Sequence, residues 1–219
     1  PFYTLTPTFE HIRDLLFKTD YPLWLWNTMF IAVSATILSL IASVFAAYAI
    51  TRIRYKYASW VGGGIFLAYL VPPSILFIPL STVVFQYGLF DTPFALILTY
   101  PTILIPFSTW LLMGYFKTIP YELEECALMD GANRWQILVK IVLPLAVPGL
   151  ISASIFCLTL CWNEFIYALT FINSTEKKTV PVASLTAGTG ALVGSLPLVI
   201  LYAFFVEHYV SAMTGAVKE

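Results

Sequence analysis

Five long stretches without a single charged side chain constrain this chain more than any other feature. No Asp, Glu, Lys or Arg occurs from Tyr21 to Thr51, Tyr57 to Phe90, Thr92 to Phe116, Ile141 to Asn163, or Thr179 to Val206. Each is at least as long as the roughly 20 apolar residues that cross a hydrocarbon core of about 30 Å. A globular domain of 219 residues would need charge on every surface helix, which excludes five buried core helices of such length. The expected fold is therefore all-α and polytopic, with five membrane spans at Leu23 to Ile50, Ser59 to Leu80, Phe94 to Gly114, Ile137 to Phe171 and Leu185 to Glu207.

Composition agrees, because only 11% of residues are charged where soluble domains carry about 25%. That rules out a disordered tail, a coiled coil, a collagen-like fibre and a secreted disulfide scaffold. Eleven Lys and Arg nearly cancel twelve Asp and Glu, so no basic field exists to hold nucleic acid.

Orientation follows from the basic residues, which concentrate in cytoplasmic loops. Placing the turn after the first span inside puts Arg52, Arg54, Lys56, Lys117, Arg134, Lys140 and Lys218 there, against Arg13, Lys18, Lys177 and Lys178 outside. Residues 1–22 are then an extracytoplasmic segment, 23–207 the transmembrane domain with a cytoplasmic loop at 117–137, and 208–219 a cytoplasmic tail. A chain beginning with Pro and lacking an apolar leader implies an upstream span or cleaved signal outside this sequence. Tyr21, Trp24, Trp26 and Trp60 fall at the expected interfaces.

Prolines punctuate the apolar stretches at 72, 73, 79, 101, 106, 144, 148 and 197. Each frees a backbone carbonyl, which points to helices that pack on others or line a cavity. The run Val71-Pro72-Pro73-Ser74 predicts an interrupted or strongly bent second span.

The loop from Lys117 to Lys140 reads as helix, turn, helix. Thr118 or Ile119 can cap a helix with Pro120 in its first turn. Glu122, Glu124 and Glu125 then lie near the positive end of its dipole. Leu123, Cys126 and Ala127 make a narrow stripe, and Gly131 after Asp130 can take the left-handed conformation that closes the helix. Asn133 with Gln136 resembles a capping box. A helix this short cannot span; it suits docking into a partner's groove, and the residues alone equally allow a solvated acidic loop.

Glu125-Cys126-Ala127, Gly131, and nine residues later Ile141, Leu143 and Pro144 resemble the cytoplasmic signature of ABC importer permeases. Met129-Asp130-Gly131-Ala132 and Leu143 to Gly149 look like the carbohydrate-uptake branch, similar to the second permease subunit of the maltose transporter. The resemblance runs from about Leu23 to the tail Met213 to Glu219. It implies the type I importer fold with a sixth, N-terminal span beyond this sequence, and localisation in the bacterial inner membrane. It also implies that Glu125, Cys126, Ala127, Asp130, Gly131, Ile141, Leu143 and Pro144 couple to an ATPase. The implied partners are a homologous permease, two ATP-binding-cassette ATPase subunits that hold ATP and Mg, an extracytoplasmic solute-binding protein, a carbohydrate and the lipid bilayer. Glu125 is expected to meet a basic residue of the ATPase. Three departures stand out: Cys126 replaces the usual Ala, the first span is missing, and the connection from Pro181 to Ala191 is shorter than the family's, which implies omitted residues.

Trp162-Asn163-Glu164 resembles a motif of sugar permeases and is a candidate part of the substrate path. Lys140 and Glu164 are 24 residues apart, about 36 Å along one straight helix, which puts Glu164 near the outer mouth. No G-x-x-x-x-G-K-[ST] occurs, so the chain has no P-loop of its own and is expected not to be an enzyme. Isolated His11 and His208 argue against a metal site. An ion-coupled secondary transporter is the alternative, but it would favour paired ionisable residues at mid-membrane.

Overall fold

The computed structural model describes residues 13, 17–53, 56–187 and 191–215, and all regular structure among them is helical. Arg54, Lys218 and most of the segment ahead of the first helix lie outside that set. Helix α1 is Tyr21–Arg52, close to the expected first span. Its buried face carries small residues at intervals of three or four: Ala32, Ala35, Ser39, Ser43 and Ala47. Its exposed face carries Ile37, Ile41 and Phe45. Large side chains outward and small ones inward reverse the soluble pattern. They suit a helix that faces lipid on one side and brings its backbone close to a neighbour on the other.

That neighbour is α5, Pro101–Thr118, which extends α4, Pro93–Thr99, into one long apolar crossing. Ser43 donates to the Ile105 carbonyl across the contact at 3.3 Å. The third span therefore ends at Thr118, beyond the expected Gly114.

The second span breaks where the prolines predict. Helices α2, Ala58–Tyr69, and α3, Pro73–Gln86, meet at 95°. Pro72 is extended (φ −61°, ψ 134°) and Pro73 opens α3. Neither proline can donate a backbone bond to continue α2.

The expected fourth span, Ile137 to Phe171, is corrected: it is three helices. Segment α7, Arg134–Leu145, contains a π-helical turn at Leu138–Val142 and meets α8, Val147–Asn163, at 77°. The cause is local, since Ala146 leaves the helical region (φ −90°, ψ 5°) and Pro148 cannot donate to the carbonyl four residues back. A second break at Glu164, where the backbone is extended, precedes α9, Ile166–Phe171. The last span also differs from Leu185 to Glu207. The connection expected from Pro181 to Ala191 is helical as far as Ala187, within α10, Val180–Ala187; residues 188–190 lie outside the described set, and α11, Ala191–Gly215, follows. The described residues thus hold two straight crossings and two bent helix pairs long enough to cross, where five spans are expected.

Two large cores stack along α1, with a smaller cluster of Tyr21, Trp24, Val180 and Ala183 at its start. One joins Ile31, Ala35, Leu96, Tyr100, Cys157, Tyr167 and Phe171. The other joins Ala47, Tyr48, Leu112, Phe116, Ile137, Val142 and Ala153 beneath the 117–137 loop.

Candidate functional site

Between α5 and α7 the chain forms one short helix, α6, Glu122–Met129. Neither Thr118 nor Ile119 caps it. Thr118 belongs to α5, Tyr121 is the cap residue, and Pro120 precedes the helix instead of opening it. The reason is that the residue before a proline is driven to extended backbone, and Ile119 is extended (ψ 125°). The closing turn is as expected. Gly131 sits at φ +84°, its N–H reaches the Leu128 carbonyl at 3.1 Å, and Ala132 reaches Ala127 at 2.9 Å. These paired bonds are a Schellman closure, which favours Gly at the left-handed position. Asn133 and Gln136 make the reciprocal capping box, both bonds at 2.9 Å.

The acids of α6 divide sharply. Glu122 and Glu125 are exposed, whereas Glu124 is fully buried. One Glu124 oxygen lies 3.3 Å from Arg52 Nε, an ion pair without hydrogen-bond alignment, and the other lies 3.3 Å from Arg134 Nη1. Tyr48 donates its hydroxyl to Glu124 at 3.4 Å. Arg52, 4% exposed, also donates to the Ile119 carbonyl at 2.6 Å and to that of Phe116, and its guanidinium lies 5.9 Å from the Tyr121 ring centre. The end of α1, the end of α5 and the start of α6 are thus tied at one point. Breaking a buried pair by removing one partner costs about 3–5 kcal/mol, because the other charge is left unpaired.

The signature residues occupy the outward side. Glu125, Cys126 and Asp130 are exposed, as are Leu123 and, at 81%, Met129. Ala127 turns the other way and packs on the lower core with Ala132 and Leu143. The expected stripe of Leu123, Cys126 and Ala127 therefore splits between two faces. Ile141 is half-buried and Pro144 exposed. Local sequence patterns assign Arg52 to the loop's charge and Glu124 to the helix dipole, and bring neither together with Tyr48. A signal was available: Arg52 closes an otherwise uncharged helix, one turn after Tyr48.

At the other end of the molecule, Trp162 is buried and donates to the Gly194 carbonyl at 2.9 Å, a packed aromatic. Asn163 is exposed and bonds back to Thr159 at 2.9 Å. Glu164 accepts from the backbone of Tyr167 at 2.8 Å and Ala168 at 3.1 Å, and from Tyr100 at 3.2 Å. It caps α9. The straight-helix depth argument for Glu164 fails at the 77° bend. Measured instead from Tyr100, the carboxylate sits 18 residues from the loop end of α5, about 27 Å. A cavity of about 220 Å³ opens at the α2–α3 break, lined by Tyr69, Val71, Pro73, Leu76, Thr102 and Leu160 among others.

The chain is 33% identical to the inner membrane ABC transporter permease protein YcjP of Escherichia coli, over 98% of this chain and 83% of that one. It is 32% identical to the trehalose/maltose transport system permease protein MalG of Thermococcus litoralis, over 95% and 80%, and 31% identical to the trehalose transport system permease protein SugB of Mycobacterium tuberculosis, over 97% and 83%. Its fold matches a chain in the crystal structure of a bacterial ABC transporter involved in the import of the acidic polysaccharide alginate, with TM-score 0.71, 26% identity, and coverage of 90% and 78%. Residues 39–214 match the sequence profile of binding-protein-dependent transport system inner membrane components, and the chain belongs to that family of ABC transporter permeases.

Proposed function

We propose that this permease forms one half of a carbohydrate path and takes its driving force from separate ATP-hydrolysing subunits through residues 118–133. The observation that carries the reading is the division of α6. Its inner side is bolted to α1 and α5 through Glu124, while Glu122, Glu125 and Asp130 stand exposed with Leu123, Cys126 and Met129 on the outward side, three acids among apolar side chains. A short helix, stiffly mounted, with apolar side chains and acids together on its free side, suits docking into a groove of a partner that offers basic residues. Ala127 and Gly131 set its angle, and Ile141, Leu143 and Pro144 seat the base of the helix that follows. On this reading the loop is cytoplasmic, and the opposite end of the molecule, at the α8–α9 break, faces the binding protein.

The remaining partners are a homologous permease, two ATPase subunits that hold ATP and Mg, and a solute-binding protein. A carbohydrate cargo is supported by relatives named for trehalose and maltose. In the path, Asn163 is the exposed member of the Trp162–Glu164 group, and we assign Trp162 and Glu164 to holding the α8–α9 break that shapes it.

Charge reversal at Glu125 tests the coupling face. Glu125→Lys is expected to insert at normal levels, since the residue is exposed, and to abolish the ATP hydrolysis that the loaded binding protein stimulates. Unaltered stimulation in the assembled transporter would sink the assignment.

A further inference from the structure

The two neighbouring acids of α6 face opposite ways, and only Glu125 belongs to the signature that resembles the family's. Glu124 has a different set of partners. It holds two arginines from two other parts of the chain, Arg52 at the end of α1 and Arg134 at the start of α7, with Tyr48 from α1 closing the cluster. Arg52 in turn grips the carbonyls that end α5, at Phe116 and Ile119. Between α1 and α6 the sequence separation is more than 70 residues, so no local rule requires this contact.

We propose that Glu124 is a positioning residue for energy coupling. Through Arg52 it makes α1, α5 and α6 move as one body, so that a push on the outward face of α6 reaches the cavity at the α2–α3 break. The inference rests on the coupling reading above. The physical argument is one of stiffness. Apolar contacts alone would let a helix of eight residues slide or tilt on the small-residue surface beneath it. A buried ion pair instead fixes both separation and direction, because any displacement unpairs a charge that no water reaches. Arg134, 43% exposed, adds a brace to α7, where the coupled motion would enter the bent α7–α8 pair. Glu125, which has no such contact, remains free for the partner.

The test uses the full chain assembled with its partner permease, ATPase subunits and binding protein in vesicles. A cysteine replaces Tyr69, 41% exposed at the cavity wall. Its maleimide labelling rate is read by peptide mass spectrometry, without nucleotide and then with ATP plus vanadate. In the otherwise native assembly the rate is expected to change about fivefold or more between the two states. Glu124→Gln should keep the ATPase bound and hydrolysing while that change falls to less than about twofold. Because Glu124→Gln leaves Arg52 unpaired, the double variant Arg52→Gln/Glu124→Gln serves as its partner. It buries no lone charge, inserts normally, and should show the same flat response and not a larger defect.

A native labelling response in the double variant overturns the proposal, as does loss of the ATPase from both Glu124 variants, which would place Glu124 in the docking face. Failure of the native chain to bring down any ATPase would instead overturn the coupling reading itself, and this inference with it.

Discussion

The two ends of α1, about 48 Å apart for 32 residues, are fastened in different ways. At the loop end the fastening is charge against charge, where Glu124 meets Arg52 in a dry site and the part-exposed Arg134 at its edge. At the far end it is mostly side chain against backbone. Trp24 donates to the Thr175 carbonyl at 2.7 Å, Asn27 to Glu176 at 2.8 Å, and Thr28 accepts from Val180 at 2.9 Å. Asp91 completes that end, accepting from the backbone of Asn173 and Ser174 at 2.9 Å each and from Lys177 Nζ at 3.3 Å. The far end spreads its fastening over many modest bonds, each worth about 1 kcal/mol. The loop end concentrates it in one cluster, where a single loss is severe. A distributed latch tolerates change, and a concentrated one transmits force.

The sharpest way to break that contrast is Glu124→Ala. It leaves Arg52 buried beside no carboxylate, and the expected loss is about 3–5 kcal/mol. Thermal unfolding of the detergent-purified chain should report a fall of about 6 °C or more for a protein of this size. An unchanged midpoint would mean that water already reaches the cluster.

How much of this was legible in the sequence differs between the two ends. The charge-free stretches locate α1, the paired prolines locate the break at Val71–Ser74, and local chemistry locates the Gly131 closure and the Asn133–Gln136 box, because each depends on residues a few positions apart. The Glu124 cluster depends on Arg52, 72 positions earlier, and helical spacing cannot say which of two adjacent acids will meet it. The resemblance drew attention to Glu125 for the same reason: a motif records identity, not burial. The fourth span was misread because a hydropathy pattern carries length without direction. Pro144 and Pro148 were noticed, yet only the packed structure reveals that Ala146 between them turns the chain by 77°.

A milder comparison uses two tight glycines. A Cβ at Gly149, on the loop-end half, would fall 2.4 Å from the Tyr115 ring, which would have to move bodily. A Cβ at Gly194, on the far half, would meet a Val180 methyl at 2.7 Å and the Tyr21 hydroxyl at 3.0 Å. Gly149→Ala is expected to cost about 1–3 kcal/mol and Gly194→Ala less, since three ring atoms of Tyr115 lie within 2.8 Å of the new methyl, where a Val180 methyl and the Tyr21 hydroxyl are the only atoms within 3.0 Å at Gly194. Thermal midpoints of the pair would rank the rigidity of the two halves, and the reverse order would contradict the contrast drawn here.

The smallest expected effect is at Asp91. The Ser174 hydroxyl and backbone, then the Asn173 backbone and Lys177, hold its carboxyl below the usual carboxylate range. A carboxyl depressed in the folded state contributes stability that is complete above its unfolded value, near pH 3.9, and is lost only as pH falls through the lower folded value. The far-end latch should therefore be indifferent to pH between about 5 and 8. Asp91 also sits at φ +58°, a conformation that Asn shares at little cost, so Asp91→Asn removes the charge without straining the turn. The expected loss is about 1 kcal/mol, a fall of about 2–4 °C in the midpoint at pH 7. The difference from the native chain should shrink only in strong acid. A variant that loosened at pH 5 as the native chain did would mean that a different group, and not this carboxylate, closes the far end.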